Sequence, residues 1–146
     1  MSDFFPVVIH HNPDCGTSRN VVRIVEAAGY TPEIVPYLET GWRRPQLLAL
    51  FAAAGLTPRS ALRESKSPAK ELGLLEEGVS DAAILDAMLE HPVLVNRPIV
   101  ATPKGVALCR PSGAVLDLLA KWPDAPFAKE DGDLVIDADG KRVDGA

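Results

Sequence analysis

Residues 6–38 alternate in an order that few folds accommodate. "PVVIH" (Pro6–His10) is short, apolar and β-branched, the pattern of a buried strand. "NPDCG" follows as a turn-rich loop. "TSRNVVRIVEAAG" then places Val21, Val22, Ile24, Val25 and Ala28 on one helical face and stops at Gly29. "EIVPYL" (Glu33–Leu38) is a second short strand. Strand, helix, strand is a βαβ unit, which calls for parallel strands and a right-handed crossover.

The next stretch changes character. "RPQLLALFAAAG" is helical and ends at Gly55. "TPRSALRES" and "SPAKELG" each carry a helix-start signature, Thr57-Pro58 and Ser67-Pro68. "SDAAILDAMLEHP" has Ser80 as its N-cap and Ile84, Leu85, Met88 and Leu89 as its stripe. A helical insertion over about 44–91 is expected. Beyond it, "PIVAT" and "VALCR" flank a Pro-Lys-Gly turn and read as a β-hairpin. "PSGAVLDLLAKW" reads as a closing helix. "DLVIDADGKRV" reads as a small terminal hairpin turning at Asp139-Gly140. The order is βαβ, helical insertion, ββα. It resembles an α/β thioredoxin-like core, a mixed four-stranded sheet, with an insertion between its halves. One domain over 1–146 is expected. In that architecture the first loop presents a nucleophilic cysteine. The proline that starts the third strand is often cis there, and Arg97-Pro98 holds that place.

Composition narrows the function. Hydrophobic residues are 47% and charged residues 24%, enough for a core without staples or metals. A net charge of −5 disfavours nonspecific binding to nucleic acid or anionic membranes. No signal pattern opens the chain and no apolar run approaches membrane-spanning length, so a cytoplasmic protein is expected. Cys15 and Cys109 are far apart, and a reducing compartment argues against pairing them. With His10, His11 and His91 they make a poor zinc set, because no C-x-x-C or H-x-x-x-H spacing occurs.

Cys15 sits just before the Thr17–Ala28 helix. Free N–H groups and the positive end of the helix dipole favour an anion there, and a thiolate is that anion. Gly16 permits close approach, Thr17 and Ser18 bring hydroxyls, and Asn12 or a protonated His11 adds a donor. Arg19 adds local positive charge. A lone cysteine is ordinarily buried filler; the strand–loop–helix setting makes this one a reactive thiol. Ser18 stands one turn on, where a dithiol enzyme would carry its second cysteine, so electrons must come from another thiol. Cys109 falls at an interior position of its strand and reads as structural. Arg63, Arg97 and Arg110 each end an element. If the strand-end loops converge on Cys15, their guanidinium forks suit a tetrahedral oxyanion.

"HNPDCGTSRN", "YLET", "ALRES" with "KELGL", "HPVLVNRPIV", "LCRPS" and "KEDG" together resemble the glutaredoxin-coupled arsenate reductases of the ArsC family. They cover most of the chain in order. The resemblance implies Cys15 as nucleophile and His11 and Ser18 as groups that stabilise its thiolate. It implies Arg63, Arg97 and Arg110 as the oxyanion-binding set. Cys15 would attack arsenate, glutathione would attack the arsenic, glutaredoxin would reduce the adduct, and arsenite would leave. No bound cofactor and no metal is implied; glutathione is a co-substrate, and a monomer is expected. Two positions depart from the family pattern. His10 replaces the usual aromatic residue, and Glu64-Ser65 follows Arg63 where a lysine is usual, with Lys66 displaced. A carboxylate facing an oxyanion would repel it. The alternatives are a thiol reductase of the same fold acting on another substrate, a Spx-like regulator that binds RNA polymerase, and a noncatalytic glutathione-binding module. The regulator typically uses a C-x-x-C switch, which Ser18 interrupts. A degenerate module should have lost one of Cys15, Arg97 and Arg110.

Overall fold

A computed structural model describes residues 4–143 and 145. The chain forms two compact units: one contains the chain up to Val35 and from Arg97 onward, the other is Pro36–Asn96. The stretch expected as a helical insertion lies inside the second. Among the described residues no helix is long and apolar enough to cross a membrane.

The first unit is built on a mixed sheet. Strand β1 (Val8–His10) leads through a loop into α1 (Gly16–Ala27) and then β2 (Glu33–Val35). β1 and β2 are parallel, in register Val8↔Glu33 to His10↔Val35. Strands β3 (Ile99–Thr102) and β4 (Gly105–Leu108) form the antiparallel hairpin, and β3 also pairs antiparallel with β1, opposing Ile9 to Val100 and His10 to Ile99. The order is β2-β1-β3-β4, so the apolar β1 and β3 are central and buried. The second strand is shorter than expected. Pro36 has no N–H for the ladder, and Tyr37–Thr40 turns helical instead.

Helix α1 buries Ser18, Val21, Ile24 and Val25 on one face. Its end is a Schellman motif: the Tyr30 N–H donates to the Val25 carbonyl and the Gly29 N–H to Glu26, with Gly29 at φ 99°. The closing segment Ser112–Leu118 is a 3-10 helix, not the expected α-helix. Its apolar residues come in pairs three apart, Val115 with Leu118 and Leu116 with Leu119, the spacing that a 3-10 turn eclipses. These residues share one core with Val7, Ile9, Val21, Ile24, Val25, Val100 and Cys109. The terminal hairpin forms in part. β5 (Phe127–Ala128), unforeseen in the sequence, is the ladder partner of β6 (Leu134–Ile136). The chain returns through a turn at Asp139-Gly140 to one bridge, Ile136↔Arg142.

The second unit holds α2 (Tyr37–Thr40), α3 (Arg44–Ala54) and α4 (Asp81–Glu90). Gln46 Oε1 accepts from the Arg43 N–H to open α3, and Ser80 Oγ accepts from the Ala83 N–H to open α4. The helices expected at Thr57 and Ser67 are single turns. The start signals operate locally: Thr57 Oγ1 accepts from the Ser60 N–H, and Ser67 Oγ from the Ala69 N–H. Gly73, at φ 73°, then stops the second turn. One or two turns without an apolar stripe to pack do not propagate. Arg63 therefore does not end a helix. Its segment is extended, with a bridge Leu62↔Val95 and the Arg63 N–H donating to the Leu94 carbonyl at 2.8 Å.

Candidate active site

The sheet order gathers the C-terminal end of β1, the start of β3 and the end of β4 at one edge. Continued two residues past the Ile99↔Leu108 pair, the hairpin register sets Arg97 opposite Arg110. Arg110 Nη1 donates to the Arg97 carbonyl at 3.1 Å. Both residues precede cis prolines, at Arg97-Pro98 and Arg110-Pro111.

Cys15 is the N-cap of α1, with φ −102° and ψ 120°, and is buried. The loop before it is closed by its own polar groups. The Cys15 N–H donates to the Asn12 carbonyl at 3.1 Å, and Asn12 Oδ1 accepts from the Asp14 N–H at 2.9 Å. Asn12 was expected to offer a donor to the sulfur; its side chain instead builds this Asx turn. Ser18 Oγ accepts from the Asn12 N–H at 3.1 Å and bonds His11 Nδ1 at 2.6 Å. His11 and Ser18 are thus one unit under the loop. Burial, then the Arg19 charge, lower the His11 pKa, so near neutrality the imidazole is uncharged and acts through Ser18. A Cβ on Gly16 would meet only Arg19 Nη2, at an ordinary 3.7 Å. The fold itself does not demand glycine there.

Arg110 Nη1 lies 3.7 Å from Cys15 Sγ. Burial alone would push the thiol pKa up. The Ser18 backbone N–H, the Arg97 charge, and hydrogen bonds from Arg110 and Arg97 outweigh burial, and the thiol is shifted below its ordinary value. Cys15 thus lies beside two guanidiniums at a helix N-terminus, surroundings that favour negative charge on the sulfur.

The ArsC family profile matches residues 10–118. The chain belongs to the ArsC family. Arsenate reductase ArsI2 of Synechocystis sp. is 70% identical, covering 94% of this chain and 98% of its own length. An Escherichia coli arsenate reductase is 48% identical over 94% of this chain and 97% of its own. The solved structure of an arsenate reductase from Vibrio cholerae superposes with a TM-score of 0.75 at 37% identity, covering 80% of this chain and all of the other. The fold is accordingly the thioredoxin-like α/β fold of ArsC proteins.

This ArsC-family chain also accounts for its two departures. His10 is buried, and its Nδ1 donates to the Ile99 carbonyl at 2.8 Å, which fixes the tautomer with the proton on Nδ1. The ring thus ties β1 to the residue two beyond Arg97. Glu64 is exposed on its own unit. Arg63 is buried in the second unit, its Nε donating to the Ser65 carbonyl at 3.0 Å. Cys109 lies in the core, and burial, with Asp117, pushes its thiol up to about 12 against a smaller opposing effect of Arg142. Sequence reasoning missed where Arg19 points: its Nε meets the Glu130 carboxylate at 3.1 Å and its Nη1 the Pro13 carbonyl at 2.9 Å. The "KEDG" match marked that segment without assigning it a task.

Proposed function

We propose that this chain reduces arsenate to arsenite through the Cys15 thiolate, with glutathione and glutaredoxin supplying two electrons. The observation that carries the reading is a lowered-pKa thiol at a helix N-cap with Arg110 3.7 Å from its sulfur. Family membership and the arsenate reductase relatives support the choice of oxyanion.

Cys15 Sγ attacks arsenic, an S–As bond forms, and an arsenate oxygen leaves as water. Glutathione displaces a second oxygen, again as water, so two sulfurs sit on pentavalent arsenic. A glutaredoxin thiolate then attacks the glutathione sulfur. The electron pair of that S–As bond passes to arsenic, which becomes trivalent, and the glutathione leaves as a mixed disulfide with glutaredoxin. Water cleaves the remaining S–As bond, releasing arsenite and the thiolate. Arg97 and Arg110 neutralise the oxyanion as it approaches. Arg63 joins them on the family resemblance. His11 and Ser18 hold the loop that aims the sulfur. The chain's residues need no bound cofactor for these steps, and it works as a cytoplasmic monomer.

The test is a coupled NADPH assay with glutathione, glutathione reductase and glutaredoxin. Wild-type chain should consume NADPH only with arsenate present. Cys15→Ser should be folded and inactive; normal turnover in that variant would remove Cys15 from the chemistry.

A further inference from the structure

The segment 127–130 is fastened along α1 by three side chains. Asn20 Oδ1 accepts from the Glu130 N–H at 2.9 Å. Arg23 Nη2 donates to the Ala128 carbonyl at 3.1 Å, and its guanidinium lies 5.4 Å over the Phe127 ring. Arg19 Nε reaches both Glu130 carboxylate oxygens, at 3.2 and 3.1 Å. The same guanidinium extends the other way, Nη1 donating to the Pro13 carbonyl at 2.9 Å. Pro13 has no N–H, so this carbonyl is the only backbone group by which the residue can be tethered. It stands two residues before Cys15.

We propose that Glu130 is a positioning residue for Cys15: it holds the Arg19 guanidinium in the orientation that clamps the Pro13 carbonyl and so fixes the loop presenting the sulfur. A guanidinium is planar and rigid, so fixing its Nε edge aims its Nη1 edge. Without Glu130, a long and half-exposed side chain regains its rotamers. The pair is too exposed to matter much for global stability. Its effect belongs on the loop. Arg19→Lys conserves the positive charge beside the loop, so a loss in that variant reports geometry and not a missing charge. The inference rests on Cys15 being the nucleophile of the proposed reaction.

Two variants of the full chain separate position from charge. Arg19→Lys keeps the positive charge but has no planar fork to span both partners. Glu130→Gln keeps the shape but loses the charge that grips the fork. The primary readout is the rate of Cys15 alkylation by iodoacetamide against pH, located by mass spectrometry. In each variant the rate at mildly acidic pH should fall about two- to tenfold and the profile should move to higher pH. The double variant should be no slower than the worse single one. Glu130→Asp should recover part of the loss. Melting temperatures should stay within about 3 °C of wild type. Arsenate turnover should fall in parallel. Wild-type alkylation profiles in both single variants would overturn the proposal, as would additive slowing in the double variant, which would mean that the two residues act independently. Because alkylation needs no arsenate, a chain that alkylates as expected yet ignores arsenate refutes the proposed reaction alone.

Discussion

Replacing Arg110 by alanine should strip much of the reactivity from Cys15. The guanidinium nitrogen is 3.7 Å from the sulfur. At that separation two unit charges attract by about 1 kcal/mol in a water-like medium and about 4.5 kcal/mol at an effective dielectric near 20. Arg110 is exposed, so the lower end applies, about 1 kcal/mol. That lowers the thiolate population below the titration midpoint, and with it the alkylation rate, about fivefold. The assay is iodoacetamide alkylation across pH at low and high salt. High salt should shrink the difference, because the attraction is solvent-accessible. Arg110→Lys should fall between wild type and alanine, since a point charge replaces the fork that also bonds the Arg97 carbonyl. An Arg110→Ala chain alkylated at the wild-type rate throughout would show that Ser18 and Arg97 suffice and that Arg110 does not hold the thiolate.

Cys109→Ala should retain full arsenate turnover and lose about 1 kcal/mol of stability by denaturant melt; a folded but inactive variant would restore a resolving role. Arg63→Ala should lower kcat/KM for arsenate about ten- to a hundredfold and leave Cys15 alkylation unchanged; unchanged arsenate kinetics would drop it from the oxyanion set. Burial lowers the His10 pKa below its ordinary 6.5, so the unfolded chain takes up a proton first as pH falls. Stability should therefore decline as pH drops below about 6.5, and His10→Phe should remove part of that decline in denaturation at pH 7.5 and 5.5. His11, shifted the same way, adds to the decline.

What the sequence discloses is what neighbouring residues decide. Cys15 at a helix start is local: the turn residues before it and the apolar face after it place it at the N-cap. Arg97 and Arg110 are legible because each abuts a proline at a strand end. The signals at Thr57 and Ser67 are equally genuine, and their hydroxyls do cap, yet no helix follows because continuation depends on packing that lies outside the local stretch. The Ser112–Leu118 segment fails for a different reason. A three-residue spacing fits either helix type, and only the core chooses. His10 and Arg19 lie beyond local reading altogether. One is explained by a strand that pairs 89 residues later, the other by a carboxylate 111 residues away.

Cys109 gives the protein a gauge of its own integrity. Its sulfur is fully buried while its chemistry is that of any thiol once uncovered. A folded chain therefore presents one titratable sulfhydryl and an unfolded chain two. Under mild labelling, the slow appearance of the second adduct counts how often the core opens to admit a reagent. Destabilising substitutions anywhere around Val115, Leu116 or Val135 should quicken that clock, while the first adduct keeps reporting on the loop at Cys15.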